Sequence, residues 1–360
     1  MHVKKKNVFR PLALCLISAA VLLLLQRLLV PKYTGRVVEG RFIEEYYEET
    51  SPHEVIFLGD CEVYENISPV VLWREYGITS YIRGSAQQLV PQSYYLLEDT
   101  LKSETPKVVV FNVSAMQQYE QENETYNRMT MDGMRWSSSK IKAIRETMTE
   151  GEHMIEYVFP ILRFHSRWKE LDSDDFRYFF TKKKVSHNGY YMRADVRPAG
   201  DFPAERRRSD YGFDGRAWEY LEKMRLLCES KNITFVLMKA PSLYPAWHDE
   251  WERQIKEYAD EKQLLYINCI EESEKIGIDF SADTYDGGLH MNVYGAEKMS
   301  RYWGKIFREF PGVEDYRKDS GQKELQMVWE EKGRYYDEMK EAQEKEFAES
   351  GYLKQFAAEE

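Results

Sequence analysis

Val55-Ile56-Phe57-Leu58-Gly59-Asp60-Cys61-Glu62-Val63-Tyr64 joins a short apolar run to a tight Gly-Asp turn and then to a nucleophile type. Runs of this length bounded by turn residues read as buried strands. The strand would present Cys61 at its carboxyl edge, beside free backbone N–H groups. A thiolate is the reactive form, so Cys61 needs a base or a positive neighbour. A cysteine after a strand is also a common buried small residue, so this stretch alone does not decide between packing and chemistry.

Working outward, strand-like runs recur at Ile78–Ile82, Val108–Val113, Ile233–Met238 and Leu264–Ile267. Helical periodicity lies between them: around Val70 to Tyr76, from Pro91 to about Lys102, over Ala217–Lys231, near Trp247–Glu261, and from Val293 to about Phe310. Alternating strands and helices predict an α/β fold with a mostly parallel sheet covered on both faces. Ligands in such sheets bind beyond the carboxyl ends of the strands. That rule directs attention to the loops after residues 58, 82, 113, 238 and 267.

Three further segments fall at or near that edge. Asp286-Gly287-Gly288-Leu289-His290-Met291-Asn292 places a carboxylate shortly before a histidine, an arrangement that can orient an imidazole and stabilise its charged form. His290 could equally cap the helix that follows. Arg83-Gly84-Ser85 and Phe111-Asn112-Val113 end or follow strands, and supply a glycine N–H and an amide N–H of the type an oxyanion hole requires.

The order of these segments resembles the SGNH (GDSL-type) hydrolase superfamily. Gly59-Asp60-Cys61 matches its first block with Cys in place of the usual Ser, Gly84 the second, Asn112 the third, and Asp286 with His290 the last. The resemblance spans roughly residues 54–113 and 213–310, and looks closest to the DltD-like and alginate-acetylation-like membrane-anchored branch. It implies a flavodoxin-like three-layer α/β/α fold and acyl-ester chemistry without a cofactor. Cys61 would attack an acyl carbonyl, His290 would act as base, and Asp286 would hold the imidazole. The N–H groups of Cys61 and Gly84, with Asn112, would stabilise the oxyanion. The sequence departs from the pattern in three ways. Cys61 would form a thioester, which is easily passed to another acceptor, so transfer is as plausible as hydrolysis. The residue three before His290 is Gly287, leaving Asp286 or Asp283 as the acid. Asn112 is assigned by strand position, and Ser114 is an alternative.

The chain has 360 residues, with 50 Lys and Arg against 61 Asp and Glu, for a net charge of −11. That balance argues against a nucleic-acid partner, which calls for a basic face. Its four cysteines, Cys15, Cys61, Cys228 and Cys269, show no CxxC spacing, and no Gly-rich phosphate loop or His/Glu metal pair is found, so no metal is expected. Residues 1–10 are basic, and residues 11–30 are apolar over a length that matches a bilayer core. Lys4, Lys5, Lys6 and Arg10 on the near side predict a cytoplasmic N-terminus, with the bulk outside. A cleaved signal peptide is the rival reading, but no small-x-small site follows the run.

Residues 31–53 read as a juxtamembrane linker and 54–313 as the hydrolase-like domain, with an insertion at 114–212. Residues 314–360 read as a charged, solvated helical tail. Within the insertion, Arg128, Arg135, Trp136, His165, Arg167, Trp168 and His187 are candidate sugar- or anion-facing groups. The expected partners are a cell-surface glycan or acylated polymer and the membrane itself. By the resemblance alone, a multi-span membrane-bound O-acyltransferase joins them.

Overall fold

A computed structural model describes residues 9–34, 37–118, 120–200, 202 and 208–356. The basic residues Lys4, Lys5 and Lys6, on which the cytoplasmic N-terminus was argued, lie outside them. The chain forms two compact units. One takes the described parts of Met1–Thr34 with Glu150–Lys184, the other those of Gly35–Thr149 with Val185–Glu360.

The larger unit is built on five parallel strands: β1 (Val55–Gly59), β2 (Ser80–Gly84), β3 (Val108–Asn112), β4 (Thr234–Lys239) and β5 (Leu265–Asn268). Their order is β2-β1-β3-β4-β5. All five sit where the apolar runs predict, because each run is long enough for a strand and too short for a helix. The order is flavodoxin-like, and the winding reverses between β1 and β3. A crevice therefore opens beyond the carboxyl ends of those two strands. Gly59↔Gly84 and Asn112↔Met238 are register pairs at this edge.

Helices cover both faces. On one, Pro69–Tyr76, Val293–Phe307 and Lys323–Ser350 pack together; on the other, Val90–Thr100, Ser138–Thr147 and Gly215–Glu229 do. Alternate residues of β1, β3 and β4 (Val55, Phe57, Val108, Val110, Val236, Met238) meet Met299, Trp303 and Phe307 in one core. Each fully buried side chain of this size contributes about 1.5–3 kcal/mol.

The C-terminal segment corrects an expectation. Lys323–Ser350 is helical, but it is not a solvated tail. Trp329 is buried and stacks on Trp73 with ring centroids 5.3 Å apart, and Tyr336 is buried beside Tyr190. Gln343 accepts from the Ala194 N–H at 2.9 Å. Polar residues dominate the segment because only one narrow stripe of it faces the body. Of the residues 114–212 read as an insertion, 150–184 belong to the smaller unit.

The smaller unit holds the apolar helix Phe9–Leu29, long and apolar enough over Arg10–Leu29 to cross a membrane. Against it pack the short helices Ile161–Phe164 and Ser173–Arg177 and the turn His165–Lys169.

Candidate active site

Gly59 ends β1 at φ +147°, and a Cβ there would lie 2.6 Å from Val63 Cγ2 and 3.0 Å from Asn112 Cβ. Only glycine lets the strand turn so close to β3. Asp60 then caps the short helix Cys61–Tyr64 by accepting from Glu62 N at 3.2 Å. Cys61 is the first residue of that helix, so its N–H has no partner within the helix. Gly84 closes in from β2, where a Cβ would sit 3.2 Å from the Gly59 carbonyl oxygen.

His290 reaches the same edge from the loop before the Val293–Phe307 helix, which Asn292 caps. Asp286 folds around it. Oδ1 accepts from the backbone N–H groups of Leu289 (3.2 Å) and His290 (2.9 Å), and Oδ2 lies 2.7 Å from His290 Nδ1. A carboxylate four residues before His290 thus reaches Nδ1, because Gly287 and Gly288 both take positive φ and tighten the loop. Asp283 is committed elsewhere, in an ion pair with Lys298 at 2.6 Å.

The other ring nitrogen, Nε2, is buried and has no hydrogen bond of good geometry. The half-buried Cys61 thiol is among the groups whose charge acts on the ring. Burial pushes that thiol up to about 12, while the charge and proximity of His290 act in the opposite direction. Burial also opposes the imidazolium. Glu65, Cys61 and the Asp286 hydrogen bond outweigh it and hold His290 well above its ordinary range.

Glu65 was not anticipated. Its Oε2 lies 3.2 Å from His290 Nδ1 and also accepts from the Tyr285 hydroxyl. Burial raises its carboxyl to about 7, against the opposing pull of His290 and Tyr285. Its position four residues after Cys61, in one helical turn, was the available signal. His290, Asp286 and Glu65 also bring three metal-type donor atoms within 4.8 Å of one another. The contacts among them are hydrogen-bond contacts.

At the carboxyl end of β4 lies a second ionic group. Lys239, at the end of β4, meets Glu62 Oε2 at 3.1 Å, both side chains being buried. Ser114 donates to the same oxygen at 2.6 Å. Asn112 Nδ2 points to Asp60 (3.2 Å) and Glu62 (3.4 Å), and its Oδ1 accepts from Ala240 N at 3.1 Å. Both Asn112 and Ser114 thus face carboxylates. Of the adjacent carboxyls, Glu62 holds the charge. Burial opposes it, but Lys239 and Ser114 lower its pKa, whereas burial and Glu62 raise Asp60 to about 7.

The residues proposed for substrate contact do not gather here. Arg128 is buried and paired with Glu124 and Asp132 at 3.3 and 3.4 Å. Arg135 donates to the Tyr47 carbonyl at 2.7 Å and lines a cavity of about 480 Å³ with Tyr47, His53 and Asp99. His53 precedes β1, so that cavity lies at the amino edge of the sheet, opposite Cys61. Trp136 is exposed under Lys140 Nζ, and His187 is buried against Tyr335 and Tyr336. His165 and Arg167 belong to the smaller unit, where Arg167 forms a fork on Asp175 at 2.8 and 2.9 Å. These arginines answer local carboxylates or a carbonyl, which residue type alone cannot distinguish from a ligand.

No protein-family model and no curated protein matches the chain. Among solved structures, it is similar to a candidate lipolytic protein of the G-D-S-L family from Desulfitobacterium hafniense DCB-2, at 14% identity over 70% of this chain and 98% of that one, TM-score 0.35. It is also similar to a candidate acylhydrolase from Bacteroides fragilis NCTC 9343, at 12% identity over 75% and 95%, TM-score 0.36. The fold assignment rests on the sheet order and register, not on these likenesses.

Proposed function

We propose that this protein is a membrane-anchored, extracytoplasmic acyl esterase or O-acyltransferase of the SGNH type, acting on a cell-surface glycan or related polymer through Cys61, His290 and Asp286. The observation that carries the reading is the convergence of Asp286, His290 and Cys61 at the carboxyl edge of β1, with Nδ1 held at 2.7 Å by Asp286, Nε2 buried without a hydrogen bond, and the Cys61 thiol among the groups that act on the ring. Above the pH at which the imidazolium gives up its proton, neutral His290 takes the Cys61 proton as sulfur attacks the acyl carbonyl. The tetrahedral oxyanion is met by the N–H groups of Cys61 and Gly84. Asn112 joins them by giving up its longer contact to Glu62. Collapse expels the alkoxide, which takes the proton back from His290. Water or an acceptor hydroxyl, deprotonated by His290, then attacks the thioester, the C–S bond breaks, and the departing sulfur takes that proton back from His290. The apolar helix supports the anchor. The outward orientation follows from the basic N-terminus, and an O-acyltransferase partner from the resemblance.

Mass spectrometry after exposure to an acetyl thioester or 4-nitrophenyl acetate tests the reading. An acyl group is expected on Cys61 in the native chain and is lost in His290→Ala. The alternative, a non-catalytic scaffold or binding protein of the same fold, draws on the engaged Asn112 amide and the raised thiol. It predicts no adduct, and that result overturns the enzymatic reading.

Glu65 has a part in the same chemistry as a positioning residue. A buried carboxylate is costly unless partnered, and the partners of this one are Tyr285 and His290. With its charge beside the imidazolium, it raises the pH at which His290 gives up a proton. Asp60, Glu62, Asp286, Tyr285 and the Cys61 thiol also face the ring or its neighbours and remain in place in Glu65→Gln. Removing the negative charge lowers the His290 pKa. The midpoint of Cys61 alkylation by iodoacetamide against pH is therefore expected to fall by about one unit or more. An unchanged midpoint removes Glu65 from the mechanism.

A further inference from the structure

The smaller unit carries apolar side chains that the core does not claim. Ile155, Val158, Phe159 and Leu162 recur at three- to four-residue spacing, and all are exposed. Trp168 is 64% exposed, Phe176 53% and Phe180 90%. Scattered surface apolar residues need no explanation, but a run of seven within one short segment does. Four basic residues, Arg163, Arg167, Lys169 and Arg177, are interleaved with them, together with five acidic ones, Glu156, Glu170, Asp172, Asp174 and Asp175.

This segment is fastened to one end of the apolar helix. Arg167 Nη1 donates to the Leu29 carbonyl at 3.0 Å, and its other end forks onto Asp175. Arg27 lies over the Phe179 ring at 5.4 Å, and Lys32 over Tyr178 at 5.5 Å. Lys32 also donates to the carbonyls of Arg27 (2.5 Å) and Leu28 (3.2 Å). The last carbonyls of a helix leaving a bilayer need donors, and cations at headgroup level supply them. Along the helix, Leu12 to Leu25 are mostly exposed, whereas Gln26 and Leu29 are buried. The cover thus begins where the lipid-facing length ends.

We propose that residues 154–180 form an interfacial collar that lies in the headgroup region of the bilayer crossed by Phe9–Leu29, with Phe159, Trp168, Phe176 and Phe180 inserted. The occupant of this surface is lipid. Aromatic residues concentrate at membrane interfaces, and apolar side chains with basic neighbours bind in the interface plane. The surface is continuous with the spanning helix itself. The collar reassigns Arg167 and Trp168 from substrate contact to anchoring. It rests on the reading of Phe9–Leu29 as a membrane span, and on nothing about Cys61 chemistry.

The test uses the full-length chain in nanodiscs of phosphatidylcholine and phosphatidylglycerol, with Cys15→Ser and Cys61→Ser as background. Nitroxide labels are placed singly through Phe159→Cys, Trp168→Cys and Phe180→Cys, with Leu16→Cys inside the helix and Met327→Cys on the larger unit as references. Collisions with oxygen, which partitions into lipid, are compared with those of a water-soluble nickel complex. The oxygen-to-nickel ratio at the three collar sites is expected to lie between the two references and severalfold above that at Met327→Cys. Collar ratios equal to that at Met327→Cys, with Leu16→Cys still lipidic, overturn the collar and leave the anchor standing. This is also the outcome if a protein partner covers the patch. A water-exposed Leu16→Cys overturns the anchor and the collar together.

Discussion

Cys61→Ala and His290→Ala are each expected to lower 4-nitrophenyl acetate turnover by at least about 10³-fold, and the double variant to be no worse than either alone. A nucleophile and its base act as a unit, so the loss of one strands the other. Asp286→Asn is expected to cost less. Its Oδ2 holds Nδ1 at 2.7 Å, but Glu65 Oε2 stands 3.2 Å from the same nitrogen and can still accept its proton. The double variant Asp286→Asn with Glu65→Gln removes both carboxylates and is expected to fall to the level of His290→Ala. Steady-state kinetics of the five variants, with protein level and fold checked by circular dichroism, decide the matter. Additive losses from Cys61→Ala and His290→Ala would mean that the two side chains do not cooperate, and undiminished turnover in either would remove the assignment.

Period and punctuation in the sequence are local signals, and they located what is local. Val55–Leu58 and the other four apolar runs become strands because each is short and bounded by turn residues; all but the edge strand Leu265–Asn268 are buried on both faces. From five parallel strands the carboxyl edge follows, and with it the neighbourhood of Cys61, Gly84 and Asn112. Partner choice is not local. The Arg128, Arg135 and Arg167 guanidiniums look alike in sequence, and each is satisfied by a carboxylate or carbonyl that only the fold supplies. The Trp73–Trp329 stack joins segments from opposite ends of the larger unit, so the burial of a charge-rich helix was not legible from its composition. Glu65 and Lys239 left faint traces: a carboxylate one helical turn past Cys61, and a cation ending an otherwise apolar strand.

That cation carries the largest expected effect on stability. Lys239 and Glu62 are paired at 3.1 Å with almost no solvent access, and Lys239 also donates to the Ala240 carbonyl at 2.7 Å. A buried pair of this kind adds little beyond an apolar pair of the same shape, but removing one member leaves the other as an uncompensated charge. Lys239→Met is therefore expected to destabilise the fold by about 3–5 kcal/mol near neutral pH, measured by denaturant unfolding of the detergent-solubilised protein. The pH dependence separates a lost charge partner from lost packing. In the native chain the carboxyl of Glu62 is lowered against burial by Lys239, so its contribution is present above the ordinary carboxylate range and is lost as pH falls through the folded value. In Lys239→Met the unpaired Glu62 takes a proton at higher pH and becomes neutral. The gap between the two proteins is then expected to narrow as pH falls toward about 4, the range in which unfolded glutamates titrate. Adding Glu62→Gln to Lys239→Met is expected to recover much of the loss, because no charge is left without a partner. A gap independent of pH, with no recovery in the double variant, would mean that Lys239 matters only for its packing against Trp247.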